Sequence, residues 1–113
     1  MDITLREKKD VVVFDIKGEI RRSEISEITL HQAVKDQIEV DKTRILLNLE
    51  GVEFIDSFGV GQILGSFISA QNTGGHLKLM NISQKLSVIF KVTGLDKVFE
   101  IFDEESAAIA SFS

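Results

Sequence analysis

Apolar and polar residues follow two different periods along this chain, and each period predicts one type of element. Ile3 and Leu5 alternate with polar neighbours, and residues 11–17 are largely β-branched and aromatic before Gly18, so two strands are predicted to form a hairpin. Residues 45–49 are apolar almost throughout, which is typical of a strand covered on both faces and therefore central and parallel. Residues 77–82 and 98–102 are predicted as two further strands.

Helices are predicted from apolar stripes and from the residues that begin or end them. Ser23 is the expected N-cap of a first helix that runs to about Val40. Its apolar stripe is Ile25, Ile28, Leu30, Val34 and Ile38. A second helix follows Asp56 and Ser57 and is stopped by the glycine pair at 74–75. Its expected core face is Val60, Ile63, Leu64, Phe67 and Ile68.

Two more helices complete the predicted order. Ser83 is expected to cap the third, which Gly94 ends, and Asp103 is expected to open the fourth with acidic residues in its first turn. Strands that alternate with helices are joined by right-handed crossovers into a parallel sheet. The chain is therefore predicted to be one α/β domain over residues 1–113. Its mixed, mostly parallel sheet has about five strands, with about four helices packed mainly on one side.

The composition excludes several classes of function. A net charge of −5 comes from 13 Lys and Arg against 18 Asp and Glu, so direct binding to nucleic acid is not expected. The chain has no cysteine, which excludes disulfides and thiolate chemistry. The residues after Met1 are polar and charged, and no apolar run approaches the roughly 18 residues of a membrane span. The expected location is the cytoplasm, without membrane insertion.

The residue patterns of common catalytic and metal sites are missing. His31 and His76 are far apart in sequence, and both are expected at the surface. No zinc-type ligand spacing or G-x-S-x-G nucleophile turn is present. A dinucleotide fingerprint that began at Gly59 would need glycine where Leu64 stands. The chain is therefore predicted not to be an enzyme and to use no cofactor or metal.

The stretch at residues 54–64 is the most distinctive part of the sequence. It joins the central strand to the second helix, and such turns at the carboxyl edge of an open α/β sheet form binding sites. Asp56 or Ser57 is expected to cap the helix. A phosphate added here would also be tolerated, because a helix N-terminus stabilises negative charge.

Phe58 is the residue of this turn that capping does not explain. At about 100° per residue it points roughly 150° from the centre of the expected core stripe, toward Gln62, Gly65 and Ser69. An exposed ring on this flat, small-residue surface indicates a docking face. The alternative is that Phe58 tucks into the loop at the start of the helix.

Several motifs together resemble a known family. They are Gly18-Glu19-Ile20, residues 45–49 with Val52, residues 54–57 followed by Gly59, residues 77–79, and residues 90–102. On these motifs the chain resembles the STAS domain, specifically the stand-alone bacterial anti-sigma factor antagonists, over nearly its whole length. The resemblance implies a STAS fold, and it implies partner switching in transcriptional control. In such switching the antagonist binds an anti-sigma factor that is also a serine kinase. That kinase phosphorylates the antagonist at the start of the second helix, and a phosphatase reverses the change.

The sequence departs from that pattern in two places. The resemblance places the phosphoacceptor at the second residue after Asp56, where Phe58 stands, and an Asp is common where Arg21 stands. One interpretation is an antagonist that phosphate does not switch, with Phe58 as a permanent apolar contact. A second, ranked lower, is that Ser57 accepts the phosphate. A third is a scaffold subunit of a transport complex or another signalling complex.

The leading hypothesis is an antagonist-like regulator whose partner is an anti-sigma factor/serine kinase. The expected partner-binding residues are Arg21, Asp56, Ser57, Phe58, Gly59 and Gln62. A phosphatase is a further expected partner if Ser57 is modified. An exposed Phe58 would also allow self-association.

Overall fold

The computed structural model describes residues 1–22 and 28–113. The elements in chain order are β1 (Asp2–Lys8), β2 (Val11–Ile20), α1 (Leu30–Glu39), β3 (Arg44–Ile55), α2 (Ser57–Asn72), β4 (His76–Met80), α3 (Gln84–Thr93), a 3-10 turn (Leu95–Lys97), β5 (Ile101–Phe102) and α4 (Glu105–Ala110).

The five strands form one sheet in the order β1-β2-β3-β4-β5. β1 runs antiparallel to β2, and the other neighbouring pairs are parallel. This confirms the predicted mixed, mostly parallel sheet. The carboxyl ends of β2, β3 and β4 lie at one edge, called here the carboxyl edge. The connection from β3 to α2 lies at this edge, because β3 ends at Ile55 and α2 begins at Ser57.

Apolar side chains cover both faces of the sheet, but unequally. The larger cluster joins the sheet to α1, α2 and α3 through residues such as Leu30, Ile63 and Phe90. A smaller cluster on the opposite face joins Val13 and Leu46 to α4 and the residues after it. Leu46 is fully buried, as expected for a central strand covered on both sides. The prediction that helices pack mainly on one side is confirmed, with α4 as the helix on the other face.

A chain of polar side chains crosses the part of that second face that α4 leaves open. Asn81 donates to Asn48 at 3.2 Å, and Asn48 donates to Asp15 at 2.8 Å. Arg6 then forms paired contacts of 2.6 and 3.0 Å with Asp15 and reaches Glu105 of α4 at 2.6 Å. These contacts explain why Asp15 and Asn48 interrupt the apolar runs at residues 11–16 and 45–49.

The start of α1 differs from the predicted start. The expected cap Ser23 lies outside the described residues. Thr29 caps the helix instead, because its hydroxyl accepts the Gln32 N–H at 3.1 Å, and the helix begins at Leu30. Ile28, assigned to the apolar stripe of this helix, precedes it and is 55% exposed.

The last two elements also begin later than predicted. A strand was predicted to begin at Val98. A 3-10 turn at Leu95–Lys97 precedes this position, and β5 starts only at Ile101. The fourth helix begins at Glu105 after an N-cap residue, Glu104, that makes no side-chain cap hydrogen bond, so Asp103 does not open it. Within residues 98–102, Phe99 is buried against α2 and α3, and only Ile101 and Phe102 pair with β4.

The buried face of α2 is rotated from the predicted stripe by about one residue, or roughly 100°. Its fully buried positions are Gly59, Ile63, Ser66 and Ala70. Ile68, placed in the core by the pattern, is 48% exposed. The small residues allow α2 to lie close to the sheet, which residue hydrophobicity alone does not indicate. Ser66 is accommodated because its hydroxyl donates to the Gln62 carbonyl oxygen at 2.7 Å.

Candidate functional site

The site begins with the tight connection between β3 and α2. Asp56 has an extended backbone and is the N-cap of α2, and its carboxylate accepts the Gly59 N–H at 2.8 Å. Gly59 approaches the end of β2 so closely that a Cβ there would lie 1.9 Å from the Ile20 carbonyl oxygen. Only glycine fits this contact, so its role is to bring α2 against the sheet.

Asp56 also ties this turn to the segment after β2. Its second carboxylate oxygen accepts the backbone N–H of Arg22 at 3.2 Å, and its own N–H donates to the Ile20 carbonyl oxygen at 3.4 Å. The hydrogen bond from Gly59, with a smaller contribution from Arg22, holds the pKa of the Asp56 carboxyl below its usual range. The carboxylate is therefore charged near neutral pH and fixes both turns together.

Phe58 and Ser57 are presented differently at this helix start. Ser57 is the first residue of α2 and its side chain is exposed. Phe58 is half-buried, and the guanidinium carbon of Arg22 lies 5.2 Å from the centre of its ring. This separation is within the range of a cation–π contact. Arg22 therefore covers one face of the ring, so Phe58 is neither fully exposed nor fully tucked into the loop.

A cavity of about 130 Å³ lies beside this ring at the carboxyl edge. Its apolar walls include Ile20, Leu30 and Phe58, and its polar walls include Arg22 and Gln62. Arg21 lines it as well. The Arg21 side chain is exposed and forms an ion pair with Glu19, with 2.9 Å between Nε and Oε1.

The structure brings the predicted partner-binding residues to one edge, with one difference in role. Gln62 lines the cavity, but its side-chain oxygen accepts the His31 backbone N–H at 3.0 Å and so stabilises the start of α1. The expected flat surface of Gln62, Gly65 and Ser69 is wrong, because α1 packs there. His31 Nε2 lies 2.8 Å from the Ser69 hydroxyl, and a Cβ on Gly65 would meet the His31 ring at 2.9 Å.

Two residues near the site were not identified from sequence as parts of it. Arg22 was visible only as one half of a basic pair. His31 was expected at the surface, but it is half-buried between α1 and α2, where burial and the nearby charge of Lys35 lower the pKa of its ring. His76 is exposed, as predicted.

The carboxyl edge presents an apolar ring, two guanidinium groups, a fixed carboxylate and an exposed hydroxyl. Within residues 1–22 and 28–113, no three His, Asp or Glu side chains come together in a way that could hold a metal ion. In the same residues no helix is long and apolar enough to cross a membrane. The fold and site define a mixed α/β protein with a recess at the carboxyl edge of its sheet.

Comparison with known families agrees with this class and gives it a name. The model of the STAS domain matches residues 2–108, and the chain belongs to the STAS domain family.

The relatives of this chain are named as anti-sigma factor antagonists. An anti-sigma F factor antagonist of Paenibacillus polymyxa is 25% identical over 111 residues, which cover 96% of this chain and 92% of that protein. An anti-sigma-B factor antagonist of Bacillus subtilis is 40% identical over 53 residues, which cover 47% of this chain and 49% of that protein. The second match thus spans about half the length of the relative.

A solved structure shows the same architecture. The crystal structure of a putative anti-sigma factor antagonist from Thermotoga maritima superposes with a TM-score of 0.83 and 25% sequence identity. The superposition covers 97% of this chain and 93% of that one. The predicted STAS fold is confirmed.

Proposed function

We propose that this chain is an anti-sigma factor antagonist that binds an anti-sigma factor through its carboxyl edge and catalyses no reaction itself. The observation that carries the proposal is the Asp56 carboxylate, which bonds Gly59 and Arg22 and thereby fixes Phe58 and Ser57 in one surface. Family membership and relatives that bear the same name support the class of partner. Transcriptional control of this kind would take place in the cytoplasm.

Phe58 is the expected apolar anchor of the interface. Partly exposed aromatic rings at the centre of a contact commonly contribute most of its binding energy. The ring is held at a helix start and under Arg22, so little side-chain freedom remains to be lost on binding. In this proposal Arg21, Asp56, Gly59 and Gln62 shape the surface, while Phe58 supplies the main contact.

Ser57 is the proposed position for phosphate control, if the partner is also a kinase. Its hydroxyl is exposed, whereas the side chain of residue 58 is half-buried beneath Arg22 and would present a hydroxyl less openly. This exposure makes the Ser57 hydroxyl accessible to a kinase, and the alternative is an antagonist that phosphate does not switch. A phosphate at Ser57 would bring roughly two negative charges next to Asp56 and weaken a close-packed contact, and a phosphatase would restore binding.

The binding proposal is tested with the anti-sigma factor encoded by the same host, measured by titration calorimetry. Phe58→Ser is expected to weaken binding at least about tenfold, because an anchor ring is lost. Val92→Ser is the matched control, since Val92 is 82% exposed on α3 and belongs to another surface. A circular dichroism spectrum like that of the unmodified chain checks that each variant is folded.

Absence of binding by the unmodified chain to that anti-sigma factor would contradict the proposal. The transport-scaffold alternative makes a different prediction for the same chain. Recovery of the tagged chain from host cells with membrane transport subunits, and without an anti-sigma factor, would favour it.

A further inference from the structure

The two arginines after β2 occupy different environments, although they are adjacent in sequence. Arg21 is engaged by Glu19 of its own chain at 2.9 Å. The guanidinium carbon of Arg22 lies over the Phe58 ring, 5.2 Å from its centre, and the backbone N–H of Arg22 donates to Asp56 at 3.2 Å. A guanidinium that lies on an aromatic ring keeps its edge N–H groups directed outward, in a fork that matches a carboxylate. Arg22 is thus pre-oriented to accept an acidic group from outside.

The cavity beside Phe58 lies directly next to that guanidinium. Its volume is about 130 Å³, and Ile20, Leu30 and Phe58 form apolar walls. An apolar cavity of about 150 Å³ is large enough to bind benzene. The cavity beside Phe58 is slightly smaller and can therefore admit an apolar side chain of a partner. A charged acceptor and an apolar recess therefore stand side by side.

The distribution of charge favours an acidic contact at this position. The chain as a whole carries −5, which attracts basic surfaces in general. At the carboxyl edge Arg21 is paired with Glu19, and the Asp56 carboxylate accepts two backbone N–H groups, so the exposed Arg22 guanidinium remains a local positive charge in an acidic chain. A carboxylate placed on Arg22 gains a charge-assisted bidentate contact instead.

We propose that Arg22 is the specificity-determining residue of the carboxyl edge, and that it selects a protein partner that presents a carboxylate beside an apolar side chain. The carboxylate contacts the guanidinium over Phe58, and the apolar side chain enters the cavity. Arg21, already paired with Glu19, contributes attraction at longer range. This inference rests on the proposed function, because it names the chemistry of the partner at the same surface.

The test makes the same change, arginine to glutamate, at each of the two positions. Association and dissociation rates with the host anti-sigma factor are measured by surface plasmon resonance at several salt concentrations. Arg22→Glu is expected to accelerate dissociation at least about tenfold, because a direct ionic contact becomes a repulsion. Arg21→Glu is the matched control, and it is expected mainly to slow association by a few-fold, in a salt-dependent way. Arg22→Lys keeps the charge but loses the fork and the stacking, and it is expected to fall between the unmodified chain and Arg22→Glu.

The outcomes separate this inference from the proposed function. The inference would be overturned if Arg22→Glu and Arg21→Glu slowed association equally and left dissociation unchanged. That result would indicate only general electrostatic steering. Unchanged binding of Arg22→Glu, with Phe58→Ser still impaired, would overturn it and leave the proposed function in place. No binding by the unmodified chain would overturn both. Thermal unfolding of each variant checks that the turn remains folded.

Discussion

Ser57 is an exposed residue at a helix start, and its phosphorylation would change the charge of the proposed binding surface. Its hydroxyl lies at the first position of α2, beside the charged Asp56 and the stacked Phe58. Incubation with the host anti-sigma kinase and ATP is expected to add one phosphate to Ser57, observed by intact mass and peptide mapping. The phosphorylated protein is expected to bind that partner at least about tenfold more weakly.

Ser83 provides a control for this modification. It is also an exposed serine at a helix start, and its hydroxyl accepts the Leu86 N–H at 3.1 Å. Ser57→Ala is expected to abolish the mass gain, and Ser83→Ala to leave it unchanged. A mass gain that persists in Ser57→Ala, or no gain in the unmodified chain, would show that Ser57 is not the controlled position.

His31 makes stability depend on pH at the level of one side chain. Its ring contacts Ser69 across the α1–α2 interface, and burial with the charge of Lys35 lowers the pKa of the ring. Between the folded pKa and the unfolded value of about 6.5, the unfolded state binds more protons, so the free energy of unfolding falls as pH drops through this window. The melting temperature is expected to fall by a few degrees from pH 7 to pH 5.5.

The contribution of His31 is isolated by substitution. His31→Asn is expected to flatten the change in melting temperature between pH 7 and 5.5, whereas His76→Asn, at an exposed position, is expected to leave it unchanged. An equal slope in both variants would show that other groups cause the pH dependence.

At the scale of elements, α4 is a short helix fastened at both of its ends. Glu105 contacts Arg6 and Lys8 at the start of the helix, at 2.6 and 3.0 Å. After its end, Lys78 donates to the Ser111 carbonyl oxygen at 2.9 Å and lies 4.7 Å from the Phe112 ring centre. A six-residue helix has little stability of its own, so these contacts and apolar packing determine whether it stays docked.

Removal of the Lys78 ammonium is expected to loosen α4 before the rest of the fold. Lys78 is 8% exposed, and loss of its charged hydrogen bonds is expected to cost about 1–2 kcal/mol. In Lys78→Met, hydrogen exchange is expected to accelerate at the amides of residues 108–112 and to change little in β3. Lys91→Met, at an exposed lysine of α3, is the control. Unchanged protection of residues 108–112 would mean that apolar packing alone holds the helix.

At the scale of the whole molecule, the ion pairs of Arg6 with Asp15 and Glu105 connect the β1–β2 hairpin to α4. Hydrogen bonds from Arg6 hold the pKa of Asp15 below its usual range and lower the pKa of Glu105 to about 2. Because Glu105 has a depressed folded pKa, its contribution to stability is complete above pH 4.5 and is lost as the pH falls from 4.5 to about 2. These groups are partly exposed, so the contribution is expected to be about 1 kcal/mol rather than the value implied by the pKa alone.

Urea unfolding as a function of pH tests this connection. Arg6→Gln is expected to be less stable than the unmodified chain at pH 7, and the difference is expected to shrink as the pH falls from 4.5 toward 2 and the carboxyl groups take up protons. Lys85→Gln, at an exposed lysine of α3, is expected to leave the pH dependence unchanged. Parallel curves for Arg6→Gln and the unmodified chain from pH 7 to pH 2 would exclude the assigned role of Arg6.

Local residue chemistry was sufficient for many elements. The strand period predicted β1 to β4 in order, and Ser83 and Gly94 marked both ends of α3 correctly. Asp56 was correctly expected as a helix cap. These predictions succeed because caps, left-handed glycines and strand alternation depend on residues within a few positions of each other. The boundaries failed at β5 and α4, whose contacts come from distant parts of the chain, and at α1, which begins after the cap Thr29. The strand predicted at 45–49 was also too short, since β3 runs from Arg44 to Ile55.

The sequence by itself determined the mixed sheet, the helix start at Asp56 and the position of the candidate surface. Only the tertiary structure decided which side of α2 is buried, since Gly59 and Ser66 enter the core because of close approach rather than hydrophobicity. It also placed Arg22 over Phe58, and it covered Gly65 with His31. Each of these contacts joins residues from different elements, and no local pattern encodes which elements meet. The predicted surface therefore keeps its position at the carboxyl edge, but its composition follows from packing between elements.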